Sequence, residues 1–232
     1  MMNRPSSRLI TLGLALLWSG SAAAGDAPHV DAGITTDFPT SVGLKGTVEL
    51  ENRVRLSLGG GVFPRPYLNT IQGIATSAGW YSEELAQVIE TALSRAYVLR
   101  THVGWRPWED RGFFFGGGYM PVLAVGGEVD ADQISAAIQA SESGYNLVSR
   151  LHMLQVEAGW EWLVWERMVV RTSLGGAFTV GSRTEATEVS SSSRFEVLRG
   201  AGREGIENYL DNVYQTYVHS PTVGVELGYR FR

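Results

Sequence analysis

From Thr222 to Arg232 the last eleven residues alternate without a break. Thr222, Gly224, Glu226, Gly228 and Arg230 share one face, and Val223, Val225, Leu227, Tyr229 and Phe231 share the other. A strand with one wholly apolar face, one small-or-charged face and aromatics at its end is the pattern of a transmembrane barrel wall. The same period of two predicts seven further strands, at 29–36, 42–50, 53–63, 97–108, 112–120, 153–163 and 168–178. In 53–63, for example, Arg53, Arg55 and Ser57 oppose Val54, Leu56 and Leu58, and in 153–163 Gln155, Glu157 and Glu161 oppose Leu154, Val156, Trp160 and Trp162. The faces of 112–120, with Phe113-Phe114-Phe115 followed by three glycines, are less clear.

The connections fall into two classes. Glu51-Asn52, Glu109-Asp110-Arg111 and Trp165-Glu166-Arg167 are tight polar turns, whereas 64–96, 121–150 and 179–217 are long, with only the connection around Asp37-Phe38-Pro39-Thr40 short on that side. Long and tight connections alternate as they must if both termini lie in the periplasm and the long loops outside. The expected fold is therefore an all-β, eight-stranded antiparallel transmembrane barrel, one domain over 25–232, with short helices in its external loops.

Each long loop carries a helical stripe. Ser82 caps a first predicted helix with Leu85, Val88, Ile89 and Ala92 on its apolar face; Asp130 and Gln133 have capping-box spacing ahead of Ile134 and Ile138; Ile206, Tyr209, Leu210, Val213 and Tyr214 form the third. Helices of about three turns are marginal alone in water, so these apolar faces need burial against the rim, one another, lipid or a partner. Ser182 to Phe195 is expected to be a polar, mobile loop.

Composition narrows the setting. Arg4 and Arg8, the apolar run Leu9 to Trp18 and Ala22-Ala23-Ala24 predict a signal peptide over 1–24. A mean hydropathy of -0.03 suits strands that are apolar on one face only. There is no cysteine, hence no disulfide or thiol chemistry. With 19 basic and 24 acidic residues and no basic cluster, nucleic acid is excluded as a partner.

Pooling the inward faces gives Asp31, Lys45, Glu49, Arg53, Arg55, Arg100, Arg106, Glu157, Glu161, Arg171, Glu226 and Arg230, with His29 and His102. Eight strands enclose a space that side chains nearly fill, so these charges must pair. The expectation is a structural ion-pair network plugging the barrel; the alternative use of the same residues is a conduction or proton pathway. Outward, Trp105, Trp160, Trp162, Tyr229 and Phe231 fall at the turn ends as an interfacial aromatic belt, and Phe63, Tyr97, Tyr119 and Phe178 at the opposite ends.

Chemistry is thinly represented. His219-Ser220, with Glu226 beyond, is the best nucleophile neighbourhood, but adjacent strand residues point to opposite faces and cannot act on one another. His29, His102, His152 and His219 are dispersed, and Glu128, Asp130 and Asp132 lack the rest of a calcium loop. No cofactor, metal or catalytic residue is expected.

The signal segment, the eight strands over 29–231 and the terminal Val223-Gly-Val-Glu-Leu-Gly-Tyr-Arg-Phe231 resemble the small eight-stranded outer-membrane barrels of Gram-negative bacteria. In that superfamily a terminal aromatic belongs to the signal read by the barrel-assembly machinery; here Arg232 follows Phe231. The resemblance implies an outer-membrane protein in contact with lipid and with that machinery. Its members include surface binders, anchors, pathways for small apolar molecules and lipid-modifying enzymes, and no catalytic set of the last kind can be placed here. The expected function is a non-enzymatic barrel presenting its loops for recognition, anchoring or assembly, with a protein partner at those loops. The alternatives are transport of small apolar compounds and, further off, a lipid-modifying hydrolase. A soluble sandwich or lipocalin-like barrel leaves the aromatic ends and alternating loop lengths unexplained.

Overall fold

A computed structural model describes residues 28–79, 89–90, 93, 95–108, 111–129, 145–188 and 196–231, without the side chains of 75, 126–129, 145–147, 188, 196–203, 206 and 217. The predicted signal segment, the helix stripe at Leu85 and Val88, and the capping box with Ile134 and Ile138 lie outside this set.

Eight strands follow one another around a closed antiparallel barrel: β1 (His29–Phe38), β2 (Ser41–Glu49), β3 (Val54–Val62), β4 (Ala96–Trp105), β5 (Phe113–Val129), β6 (Tyr145–Val164), β7 (Met168–Glu188) and β8 (His219–Phe231). β8 pairs with both β7 and β1, from Val30–Phe231 to Phe38–Val223, which closes the wall. The tight turns are made by left-handed backbone at Arg53 (φ 64°), Trp165 (φ 51°) and Glu166 (φ 63°), where reversal within two or three residues demands it.

The wall is uneven in height. β1, β2 and β3 have 10, 9 and 9 residues, whereas β5, β6 and β7 have 17, 20 and 21, so one side stands roughly 30 Å further along the strand direction. These extensions correct the expectation that strands end at Met120 and Phe178 and that β6 begins at Met153. Two devices hid them. Pro121 interrupts the β4–β5 ladder, which is bridged at Thr101–Tyr119 and resumes at Val98–Val122. A bulge in β7 pairs His152 with Gly181 and Met153 with Thr179, leaving Val180 extra. Thr179 faces inward before it and Thr184 and Ala186 face inward after it, so the parity of the alternation flips. The expected mobile loop from Ser182 is therefore strand as far as Glu188.

Two helices have described bounds. α1 (Arg65–Ser77) follows β3 at once, with Pro64 before it and Pro66 in its first turn, and is followed past its cap Ala78 by Gly79, whose φ is 71°. The helix expected in this first loop begins at Ser82; α1 lies ahead of that point, and Ile89, Glu90 and Leu93 are also helical. α2 (Glu196–Tyr217) is longer than the third predicted helix and packs against β7.

Candidate functional site

Inside the barrel, two regions of opposite chemistry meet. At the turn end, alternation brings charged side chains from six strands to one level. Arg171 on β7 is the hub: its Nε donates to Glu161 Oε2 at 2.7 Å, its Nη1 to Asp31 Oδ1 at 2.7 Å, and the same Nη1 bonds Glu226. Arg230 donates to Glu161 Oε1 at 2.6 Å, and Arg55 reaches Glu161 Oε2 at 3.0 Å. Arg106 pairs with Glu49 and stands 3.5 Å from Glu161, and Lys45 lies 3.3 Å from Glu226 and 4.0 Å from Glu157.

Five cations (Lys45, Arg55, Arg106, Arg171, Arg230) thus meet five carboxylates (Asp31, Glu49, Glu157, Glu161, Glu226), and the cluster is electrically balanced. Burial makes that balance necessary, since Arg171 is only 2% and Asp31 only 1% exposed. Losing hydration at such sites is tolerable only with partners on every side. Arg55 also stacks 4.6 Å above the ring of Phe114, the inward member of the three phenylalanines.

Midway, His102 bridges the regions, its Nδ1 3.1 Å from Glu157 and its Nε2 3.0 Å from Gln155. Gly118 makes room for it, because a Cβ there would lie 1.9 Å from His102 Cδ2. Arg100, placed in the same network by its face, forms its own pair with Asp37 and Ser41 nearer the loops. Arg53, expected in a strand, stands in the turn before β3 and donates to the carbonyl of Pro107 at 3.2 Å.

Toward the loops the interior becomes apolar, which the pooled inward faces did not foresee. Val98, Met120, Val122, Ala124, Leu151, Met153 and Ala186 of the wall pack with Leu68 of α1, Ile89, Leu93, and Leu210, Val213 and Tyr214 of α2. Tyr209 is partly buried against the same cluster. Burial pushes the Tyr214 hydroxyl up to about 12, and it shares a 3.2 Å hydrogen bond with Ser149 Oγ. Asp211 Oδ1 accepts from Thr184 Oγ1 at 2.9 Å, tying α2 to the extended part of β7. Of the predicted loop-helix surface, Ile89, Leu210 and Val213 are thus buried in the barrel mouth, Tyr209 partly so, and Ile206 lies within α2.

The outer surface is apolar around the barrel. Ile34, Leu44, Leu58, Leu99, Val103, Val156, Leu174 and Val225 are all exposed. Trp105, Trp160, Trp162, Tyr229 and Phe231 are between 41% and 51% exposed at the turn end, joined by Trp108, Phe115 and Trp165. Trp105 packs edge-on to Phe115 at 5.7 Å and Trp160 to Phe113 at 5.2 Å. At the other end Tyr97, Tyr119 and Phe178 face out, but Phe63 does not; it lies one residue past outward Val62 and therefore turns inward against the apolar core. From Tyr97 to Trp105 is about 26 Å along β4, close to the height of an outer-membrane apolar band.

The fold is similar to that of eight-stranded outer-membrane barrels. The N-terminal β-barrel domain of Pseudomonas aeruginosa OprF matches with a TM-score of 0.45 and 11% identity, over 88% of this chain and 96% of that one. A major outer membrane protein from Thermus thermophilus matches with a TM-score of 0.42 and 12% identity, over 88% of this chain and 100% of that one. No protein-family model and no curated protein matches the sequence.

The remaining candidate chemistry does not assemble. His219 Nδ1 accepts from the Thr179 amide at 3.2 Å, Ser220 Oγ donates to the Pro221 carbonyl at 2.9 Å, and Glu226 is held by Arg171 about 20 Å further along the strand. Among the described residues no three His, Asp or Glu side chains are grouped to hold a metal ion.

Proposed function

We propose that this chain is a sealed, non-enzymatic outer-membrane barrel, its termini periplasmic, that presents its loop end for recognition, anchoring or assembly. The balanced network around Arg171 carries the reading, because it fills the barrel at the turn end with five cations paired to five carboxylates; the buried atoms left without a hydrogen bond, Glu49 Oε2, Arg55 Nη1, Arg106 Nε, Glu226 Oε2 and Arg230 Nε, belong to side chains already held in salt bridges. An apolar exterior ending in aromatic girdles supports placement in lipid. β8, whose free-standing sequence pattern is the most regular in the chain, supplies the surface read by the assembly machinery.

Planar-bilayer recording from the refolded chain is expected to show no stepwise conductance; discrete channels would overturn the sealed reading. Membrane placement is tested separately by Leu56→Arg, which puts a cation on the exterior and should lower insertion into vesicles by about 2–4 kcal/mol. Unchanged insertion would count against a lipid-facing exterior.

A further inference from the structure

The apolar half of the interior is not completely filled. A cavity of about 70 Å³ lies where α1 crosses the low side of the wall. Its floor is Leu68, Leu93, Val122, Leu151 and Met153, each at most 4% exposed. Its mouth is bounded by Thr40 of the short β1–β2 turn, Ile71 of α1, and His219 and Ser220 at the start of β8. The β1–β8 ladder stops at Phe38–Val223, whereas the β7–β8 ladder continues to Phe178–His219, so the start of β8 stands unpaired by β1 beside the cavity. Below it on the outer surface is Val223, with Ile34 four residues further down β1 from Phe38, both exposed members of the apolar exterior.

The lining is mostly apolar: Thr40, Gln72, His219 and Ser220 are its polar members, and the floor offers only carbon and sulfur, a poor cage for a trapped water, which needs two to four polar partners. Left empty, the space would forfeit the contacts its lining could make. The volume is roughly twice a water's share of the liquid, below that of a cavity that admits benzene, and so suits a slender group better than a ring. α1 is arranged to keep the gap framed rather than collapsed. Tyr67 reaches over the rim to the outer face, where its hydroxyl shares a 2.6 Å hydrogen bond with Thr36 Oγ1 and its ring meets Phe38 edge-on at 5.0 Å.

We propose that this cavity binds the end of a membrane-lipid acyl chain, which passes sideways over the β1–β2 turn with its last few carbons against Met153. The site holds the chain end rather than a whole chain, and the half-exposed Ser220 and exposed His219 leave the mouth polar enough to face the interfacial region. The lipid source rests on the membrane placement proposed above; the cavity itself does not.

The test is methyl NMR on the full chain, deuterated except for Met and Leu methyls, in lipid nanodiscs. Cross-relaxation between the Met153 methyl and the lipid terminal methyl is expected, together with a signal from lipid methylenes at Leu58, which is 60% exposed on the outer face. Ile71→Trp, which fills the mouth, should abolish the Met153 signal and leave Leu58 unchanged. Val122→Leu, which fills the floor with a smaller perturbation, should reduce it severalfold. A lipid signal at Leu58 with none at Met153 overturns the site while leaving the membrane reading intact. Silence at both overturns the membrane reading and the lipid source with it. A Met153 signal undiminished in both variants overturns the route and the pocket assignment.

Discussion

The two halves of the interior solve the same problem by opposite means. At the turn end, the space is filled by ten charged side chains whose positions are fixed by who bonds whom. At the loop end it is filled by Leu, Val, Met and Tyr side chains from both wall and helices, which need only fit. The difference teaches where change can be tolerated. Hydrocarbon packing can lose or gain a methyl and relax; a buried ion-pair network must stay balanced. Changes of side-chain size are therefore better tolerated at the loop end.

The sharpest way to break this comparison is to remove the hub. Arg171→Met leaves Asp31, Glu161 and Glu226 facing one another without their shared cation, and should cost about 3–5 kcal/mol in denaturant unfolding. A small loss would mean that the carboxylates are hydrated after all. Leu151→Ala, at 1% exposure in the opposite half, should cost about 3 kcal/mol. Its signature is local: amide exchange should quicken in α2 while the β1–β8 ladder stays protected. Equal loss of protection at both places would mean that the halves unfold as one.

The seam between them is probed by Gly118→Ala, whose added methyl collides with the imidazole linking Glu157 to Gln155. A loss of about 1–3 kcal/mol is expected, and the imidazole resonances should shift. Tyr214→Phe is the mildest change, removing the bond to Ser149 for about 0.5–1.5 kcal/mol at neutral pH. Because the folded state holds the Tyr214 proton up to about 12 while an unfolded tyrosine loses it near about 10, its contribution is whole below the lower value and is lost as pH climbs toward the upper. That alkaline loss should be missing from the Phe variant in a pH series of unfolding midpoints.

The outward and inward faces of β1 to β4 and β8 were legible in the sequence because their alternation is unbroken and only one face is apolar. Asp31, Arg55 and Glu226 could be assigned to the interior on that ground alone, and Glu161 and Arg171 on the same alternation in the turn-end halves of β6 and β7. Which of them bond was not legible, since Asp31 and Arg171 are 140 residues apart and only closure of the barrel joins them. The apolar half was hidden for a different reason. Above Met120 both faces of β5 are apolar, with Val122 and Ala124 inside and Leu123 and Val125 outside, so no alternation remains to be read. Beyond Phe178 the bulge at Val180 reverses the parity. α1 has no side-chain cap hydrogen bond to announce it; Pro66 in its first turn, with Leu68 and Ile71 following at helical spacing, was the available signal.

The salt bridge from Asp31 to Arg171 carries a consequence for how the barrel is made. It ties the first strand to the seventh, across a seam that exists only when β1 has met β8. Any sheet that is still open holds Arg171 and Glu226 near one edge and Asp31 at the other, each short of a partner. Loop-closure entropy makes such distant pairs the last to form. Joining β1 to β8 thus completes the buried pairing of Asp31 and Arg171 in one step, and a sheet left open at that seam lacks it.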